Sequence, residues 1–161
     1  MPCGLHRKQE HMVTARQRLL VRNSWELMRP VAIHVADLFY DRLFELDPSL
    51  EGLFSEDLEV QRPRFIAAVG SVVQELDDME GLQPTLLELG RRYGSQGIKA
   101  GTYITLGKAL LWTMEQILAE DFTPPVKDAW AALYAAVSTA MLQGAEPREA
   151  PKPRERTLRA M

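Results

Sequence analysis

From Leu19 onward, apolar residues recur along the chain at helical spacing. Leu19, Leu20, Trp25 and Leu27 mark a first segment that stops near Pro30. Proline suits the first turn of a new helix, where its missing N–H costs nothing. The second helix carries Val31, Val35, Leu38, Phe39, Leu43 and Leu46, and Asp47-Pro48 breaks it. After the connector PSLEGLF, the residues Phe65, Ile66, Val69, Val72, Val73 and Leu76 form one stripe of a 3.6-residue period. Pro63 is tolerable only near the start of that helix. A shorter segment runs from Pro84 to about Tyr93 and ends in GSQG. Tyr103, Leu106, Leu110, Leu111, Met114, Ile117 and Leu118 predict a long helix. Thr123-Pro124 then caps a last one bearing Val126, Trp130, Leu133, Tyr134, Val137 and Met141.

No segment alternates apolar and polar residues, so no sheet is expected and the fold class is all-α. Six or seven helices with an irregular second connector argue against a plain up-down four-helix bundle. The ends differ from this body. Residues 1–14 lack periodicity. The last sixteen residues hold three prolines and five basic against three acidic residues. Such segments bury too little apolar surface to offset their ordering entropy. The organisation expected is a flexible extension over 1–14, one domain over 15–145, and a disordered basic, proline-rich tail over 146–161.

Composition changes this picture little. A chain of 161 residues, 46% hydrophobic and 25% charged, can bury a real core. A net charge of −3 gives no general attraction to nucleic acid or acidic membranes. No apolar run approaches the roughly 20 residues of a membrane span, and the opening MPCGLHRKQEHM is not a secretory signal. The only cysteine, Cys3, excludes an intrachain disulfide. A cytoplasmic location is the expectation.

The strings VRNSW, LFYDRLFELDPSLEGLF, ELGRRYGSQGIKAGTYITLGKALLWTMEQIL and FTPPVKDAWAALYAAV, in this order and spacing, resemble the globin family. The likeness is strongest to its bacterial haemoglobin and neuroglobin branches and runs from about Leu19 to Ala145. It implies a globin fold of six to eight helices around a pocket for haem b. The wall of that pocket is carried over residue by residue. Phe54 matches the connector phenylalanine on the porphyrin face. Tyr40 and Gln61 match the distal side, and Phe65 shares the helical face of Gln61. Tyr103 matches an aromatic near the iron ligand. Tyr93 falls where the family keeps its iron-binding histidine. From the residues alone, Phe54, Phe65, Tyr103 and Tyr40 would serve equally as core, and Gln61 as an exposed first-turn residue.

The chain has three histidines, His6, His11 and His34, and none matches the iron-binding position. The resemblance therefore makes Tyr93 the candidate metal ligand. A phenol deprotonates near pH 10 in water, and ferric iron and nearby cations favour the phenolate. Arg91 and Arg92 precede Tyr93, and tyrosinate-ligated haem has a precedent in catalase. Such a ligand prefers ferric iron, which implies a poor reversible oxygen carrier. Small diatomic or anionic ligands are the expected partners at the iron. Gln61 cannot titrate, so peroxidase chemistry is not expected.

Bacterial relatives polarise the iron ligand with a glutamate of the last helix, where this chain has Ala145. That weakens the case for nitric oxide dioxygenase activity, which would need a separate reductase because the chain ends before a flavin domain. The contrasting expectation is a haem-free sensory or protein-interaction module on the same fold, since loss of the histidine is its first mark.

Overall fold

A computed structural model describes residues 13–54 and 57–146. Among them every regular element is helical. Helix α1 spans Ala15–Met28 and passes through a 3-10 turn, Arg29–Val31, into α2, Ala32–Leu46. A second 3-10 turn, Pro48–Leu50, leads to the single turn α3, Glu51–Phe54. Then follow α4 (Leu58–Gln74), α5 (Met79–Ser95), α6 (Ala100–Leu118) and α7 (Pro124–Ala145). No helix of the described residues is long and apolar enough to cross a membrane. The extension over 1–14 and the tail over 146–161, with Cys3, His6 and His11, fall almost wholly outside the described residues.

Local chemistry sets the boundaries. The Thr14 hydroxyl accepts from the Gln17 N–H at 3.1 Å, while the Gln17 side chain accepts from the Thr14 N–H at 3.0 Å. This reciprocal box starts α1. Asp78 starts α5 by accepting from the Gly81 N–H at 3.0 Å. The helix predicted from Pro84 therefore begins earlier, and Pro84 lies inside it. Pro63 likewise lies in the second turn of α4. Each proline forfeits one intrahelical hydrogen bond, a loss that both helices absorb without breaking.

The main core joins α1, α2, α6 and α7 around Trp25, Met28, Phe39, Leu43, Met114 and Trp130. Its polar seam is satisfied: the Trp130 indole N–H donates to the Ser24 hydroxyl at 2.8 Å, which donates to the Leu20 carbonyl at 2.8 Å. A smaller cluster, Leu86, Ile98, Tyr103, Ala140 and Met141, lies between α5, α6 and α7.

Helices α5 and α7 cross backbone to backbone. A Cβ on Gly90 would stand 1.7 Å from the Met141 carbonyl oxygen, and one on Gly144 would stand 1.9 Å from that of Leu87. Only glycine permits so close an approach. By contrast, the α4 stripe is closed only at its end. Val73 is buried, while Phe65, Ile66, Val69 and Val72 are half-covered. The space that the Phe65 end of α4 leaves open toward α5 and α6 is the cavity described next.

Candidate functional site

A cavity of about 510 Å³ opens between α4 and α5, with α6 and α7 behind it. Ligand sites typically enclose roughly 300–1,000 Å³. All six residues singled out from the sequence, Tyr40, Phe54, Gln61, Phe65, Tyr93 and Tyr103, line this one space. So does Tyr134, and with it all four tyrosines of the chain. Among the described residues the lining contains no histidine, cysteine or carboxylate. His34 is exposed on α2. No group of three or more His, Cys, Asp or Glu side chains suited to a metal ion occurs among the described residues.

The two side walls are built alike. From α4 come Gln61, Arg64, Phe65 and Ala68; from α5 and its C-cap come Leu89, Arg92, Tyr93 and Gln96. Each set follows i, i+3, i+4, i+7, one helical face, with arginine second and an aromatic ring third. The sequence reading missed both Arg64 and Arg92 as wall residues, although this spacing around Gln61 and Tyr93 already marks them. Of the two arginines preceding Tyr93, only Arg92 lines the cavity. Arg91 is exposed and binds Glu88 at 2.6 Å instead. The family's glutamate position, Ala145, packs against Gly94, where an added Cβ would come within 2.9 Å of its own Cβ.

Tyr40 sits in an aromatic nest. Its ring lies 5.9 Å from Phe65 and 6.4 Å from Phe54, and Phe39 stacks on Phe65 at 4.2 Å. The ion pair Arg62–Asp37, at 2.6 Å, fastens α4 to α2 beside this nest. Burial, then the neighbouring Tyr93, pushes the Tyr40 phenol from 10.0 up to about 12, with Arg62 pulling the other way.

A folded-state value above the ordinary one means that the neutral phenol favours the fold up to about pH 10, an effect lost as pH rises through about 12. Urea melts at pH 9, 11 and 12 should therefore show Tyr40→Phe losing less stability over this range than the parent. Equal losses would remove Tyr40 as a source of alkaline sensitivity.

On the opposite side, Tyr93 is half-buried at the C-terminal end of α5. Its carbonyl accepts from the Ile98 N–H at 3.1 Å, and the chain turns at Gly97, whose φ of +92° suits glycine. Tyr103 is buried in the first turn of α6, and burial, then Tyr93, raises its phenol above the ordinary value. Tyr134 donates its hydroxyl to the Tyr103 carbonyl. Gly107 leaves room for the Tyr134 ring, since a Cβ there would come within 2.6 Å of it.

The cavity thus combines an apolar, aromatic lining with tyrosines and glutamines among its wall residues and arginines on two walls. This arrangement suits a largely apolar ligand bearing acidic groups.

Residues 37–141 match the family model described as Globin. Neuroglobin of Chaenocephalus aceratus is 31% identical over 147 residues, covering 82% of this chain and 92% of that protein. Neuroglobin of Danio rerio is 31% identical over 139 residues, covering 78% and 87%. A solved structure described as a hexacoordinated heme protein from an anhydrobiotic tardigrade superposes with a TM-score of 0.75 at 18% identity. That match covers 83% of this chain and 96% of the other.

Proposed function

Because this chain belongs to the globin family, we propose that its cavity holds one haem b through Tyr93 and presents the iron to small diatomic or anionic ligands. The observation that carries the reading is the convergence of all six family-matched residues, from α2 to α6, on one cavity of about 510 Å³. The donor set fits the group. A phenolate is an accepted haem ligand, and Arg64 and Arg92 suit the two carboxylates at a haem's edge. Phe54 and Phe65 supply faces for its plane. Bound haem would supply an iron with one coordination position left for an external ligand. Tyr40 and Gln61 would flank that position as hydrogen-bonding groups, and Tyr40, kept neutral by burial, would donate. Among the described residues no carboxylate or imidazole lines the cavity, and none of them is suited to shuttle protons at neutral pH. That favours ligand binding or haem holding over turnover. A separate reductase would serve any redox cycling, in a cytoplasmic setting.

The one observation on the side of a haem-free interaction module is the missing imidazole. Against it, a chain released from haem binding would gain by filling the cavity with larger side chains, and this wall keeps Ala68 and an open space.

Hemin titration separates the two. One equivalent should bind with a Soret band distinct from free hemin. At a hundredfold excess over its dissociation constant, it should raise the thermal midpoint by about 5–10 °C. An unshifted Soret band and an unmoved midpoint would establish the haem-free reading.

A further inference from the structure

A second concavity, of about 450 Å³, lies between α1 and α4 and shares no lining residue with the first. One face of each helix walls it: Arg22, Trp25 and Arg29 at i, i+3 and i+7, and Ile66, Gly70 and Val73 at i, i+4 and i+7. Gly70 holds it open. Glycine disfavours a helix interior relative to alanine. Gly90, Gly94, Gly107 and Gly144 each face a neighbour that an added Cβ would strike. Nothing excludes a side chain at Gly70, whose Cβ would meet only the Trp25 ring, at an ordinary 3.7 Å. The space such a side chain would fill is the floor of the groove.

The Trp25 ring is only 7% exposed, and its indole N–H, unlike that of Trp130, has no acceptor among the described residues. That N–H is not sealed in. Among the described residues the fully enclosed polar atoms without a partner are Nε of Arg42, Nε of Arg62 and the Tyr103 hydroxyl. The ring atom nearest the Gly70 Cβ position is Cζ2, the benzo carbon adjoining the nitrogen-bearing one. The donor edge of the indole therefore borders the groove, and a donor in so apolar a place favours an acceptor. The rim adds cations. Arg22 and Arg18 share Asp77, at 2.8 and 3.5 Å, and Arg29 pairs with Glu26 at 3.3 Å. These five side chains, three cationic and two anionic, leave one positive charge unmatched. Such exposed pairs hold weakly, so both guanidiniums at the rim stay available to an anion.

We propose that this groove is a second ligand site, for a small amphiphilic monocarboxylate. The apolar body lies against Trp25, Ile66 and Val73, while the carboxylate accepts from the Trp25 N–H and from Arg22 or Arg29. A cation would meet two arginines at the rim, and a neutral chain would leave the unmatched charge as it was. The groove therefore selects the acid. It is separate from the first cavity and independent of what Tyr93 binds.

Octanoate is the probe, set against octylammonium and 1-octanol, in proton–nitrogen correlation spectra of the full chain. The three tryptophans give three indole cross-peaks, and Trp25→Phe identifies the one from Trp25. Octanoate should move that cross-peak downfield and saturably, with those of Trp112 and Trp130 nearly still. Octylammonium should leave it in place, and octanol should bind roughly fivefold more weakly than octanoate. Arg22→Gln should also weaken octanoate roughly fivefold, while Arg18 keeps its hold on Asp77. Gly70→Leu, whose side chain fills the groove, should abolish the saturable shift. A Trp25 cross-peak unmoved by millimolar octanoate, or moved as far by octylammonium, overturns the proposal. So does a shift that survives Gly70→Leu with octanoate affinity unchanged in Arg22→Gln. A cross-peak that follows protein concentration and ignores octanoate would make a second copy of the chain the occupant, and that too overturns it.

Discussion

Tyr93→His should turn the hemin-loaded protein from one that resists reduction into one that dithionite reduces readily and that binds carbon monoxide. The expectation follows from where α5 places its side chains. The turn at Gly97 and the hydrogen bond from Ile98 to the Tyr93 carbonyl hold the end of this helix. Residue 93 lines the cavity whatever its chemistry. On the proposed reading of Tyr93 as ligand, only the donor atom changes, from a hard anionic oxygen that favours ferric iron to a neutral nitrogen that serves ferrous iron. Tyr93→Phe isolates the other half of the argument. With the ring kept and the oxygen removed, the charge-transfer band should vanish and hemin loss should accelerate at least about tenfold. Visible spectra of the parent and the two variants, in both oxidation states, decide the matter. A Tyr93→Phe spectrum identical to the parent's would assign the iron to another group.

Gly90→Ala should lower the thermal midpoint by about 5–12 °C. The new Cβ would meet the Met141 carbonyl oxygen at 1.7 Å, a contact with backbone that no rotamer can relieve. The two helices must part, and α5 carries Leu89, Arg92 and Tyr93 with it. Hemin retention should fall along with stability. Gly144→Ala tests the same crossing from α7, against the Leu87 carbonyl. Gly70→Ala is the control: its Cβ would sit at an ordinary 3.7 Å from the Trp25 ring, so helix propensity should leave stability equal or slightly higher. A Gly90→Ala midpoint equal to that of Gly70→Ala would show that the crossing tolerates spreading.

Much of the site was readable before any coordinates, because stripes at helical spacing say which face of each segment turns inward. Phe65 and Val69 on α4, or Tyr103 and Leu106 on α6, need no partner to be recognised as one face. Helix starts were less legible. Pro63 and Pro84 are ordinary first-turn signals, yet each is preceded by a full helical turn, and at α5 the competing signal was the Asp78 cap. Arg64 and Arg92 were passed over because a charged residue on a half-open wall looks like a solvated one. Their place becomes evident only when the two helices face each other. The α5–α7 crossing was the least legible. Glycines at 90 and 144 have many uses, and nothing local tells that each faces the other helix's backbone.

The gathering of every tyrosine of the chain into one cavity, with none of the three tryptophans among its lining residues, makes the protein its own optical probe. Phenol ionisation changes ultraviolet absorption, and in most proteins that signal averages over scattered sites. Here it would come from the walls of a single pocket. An alkaline titration followed by ultraviolet difference absorption would count the phenols of that space and no others, with no label attached and no residue changed.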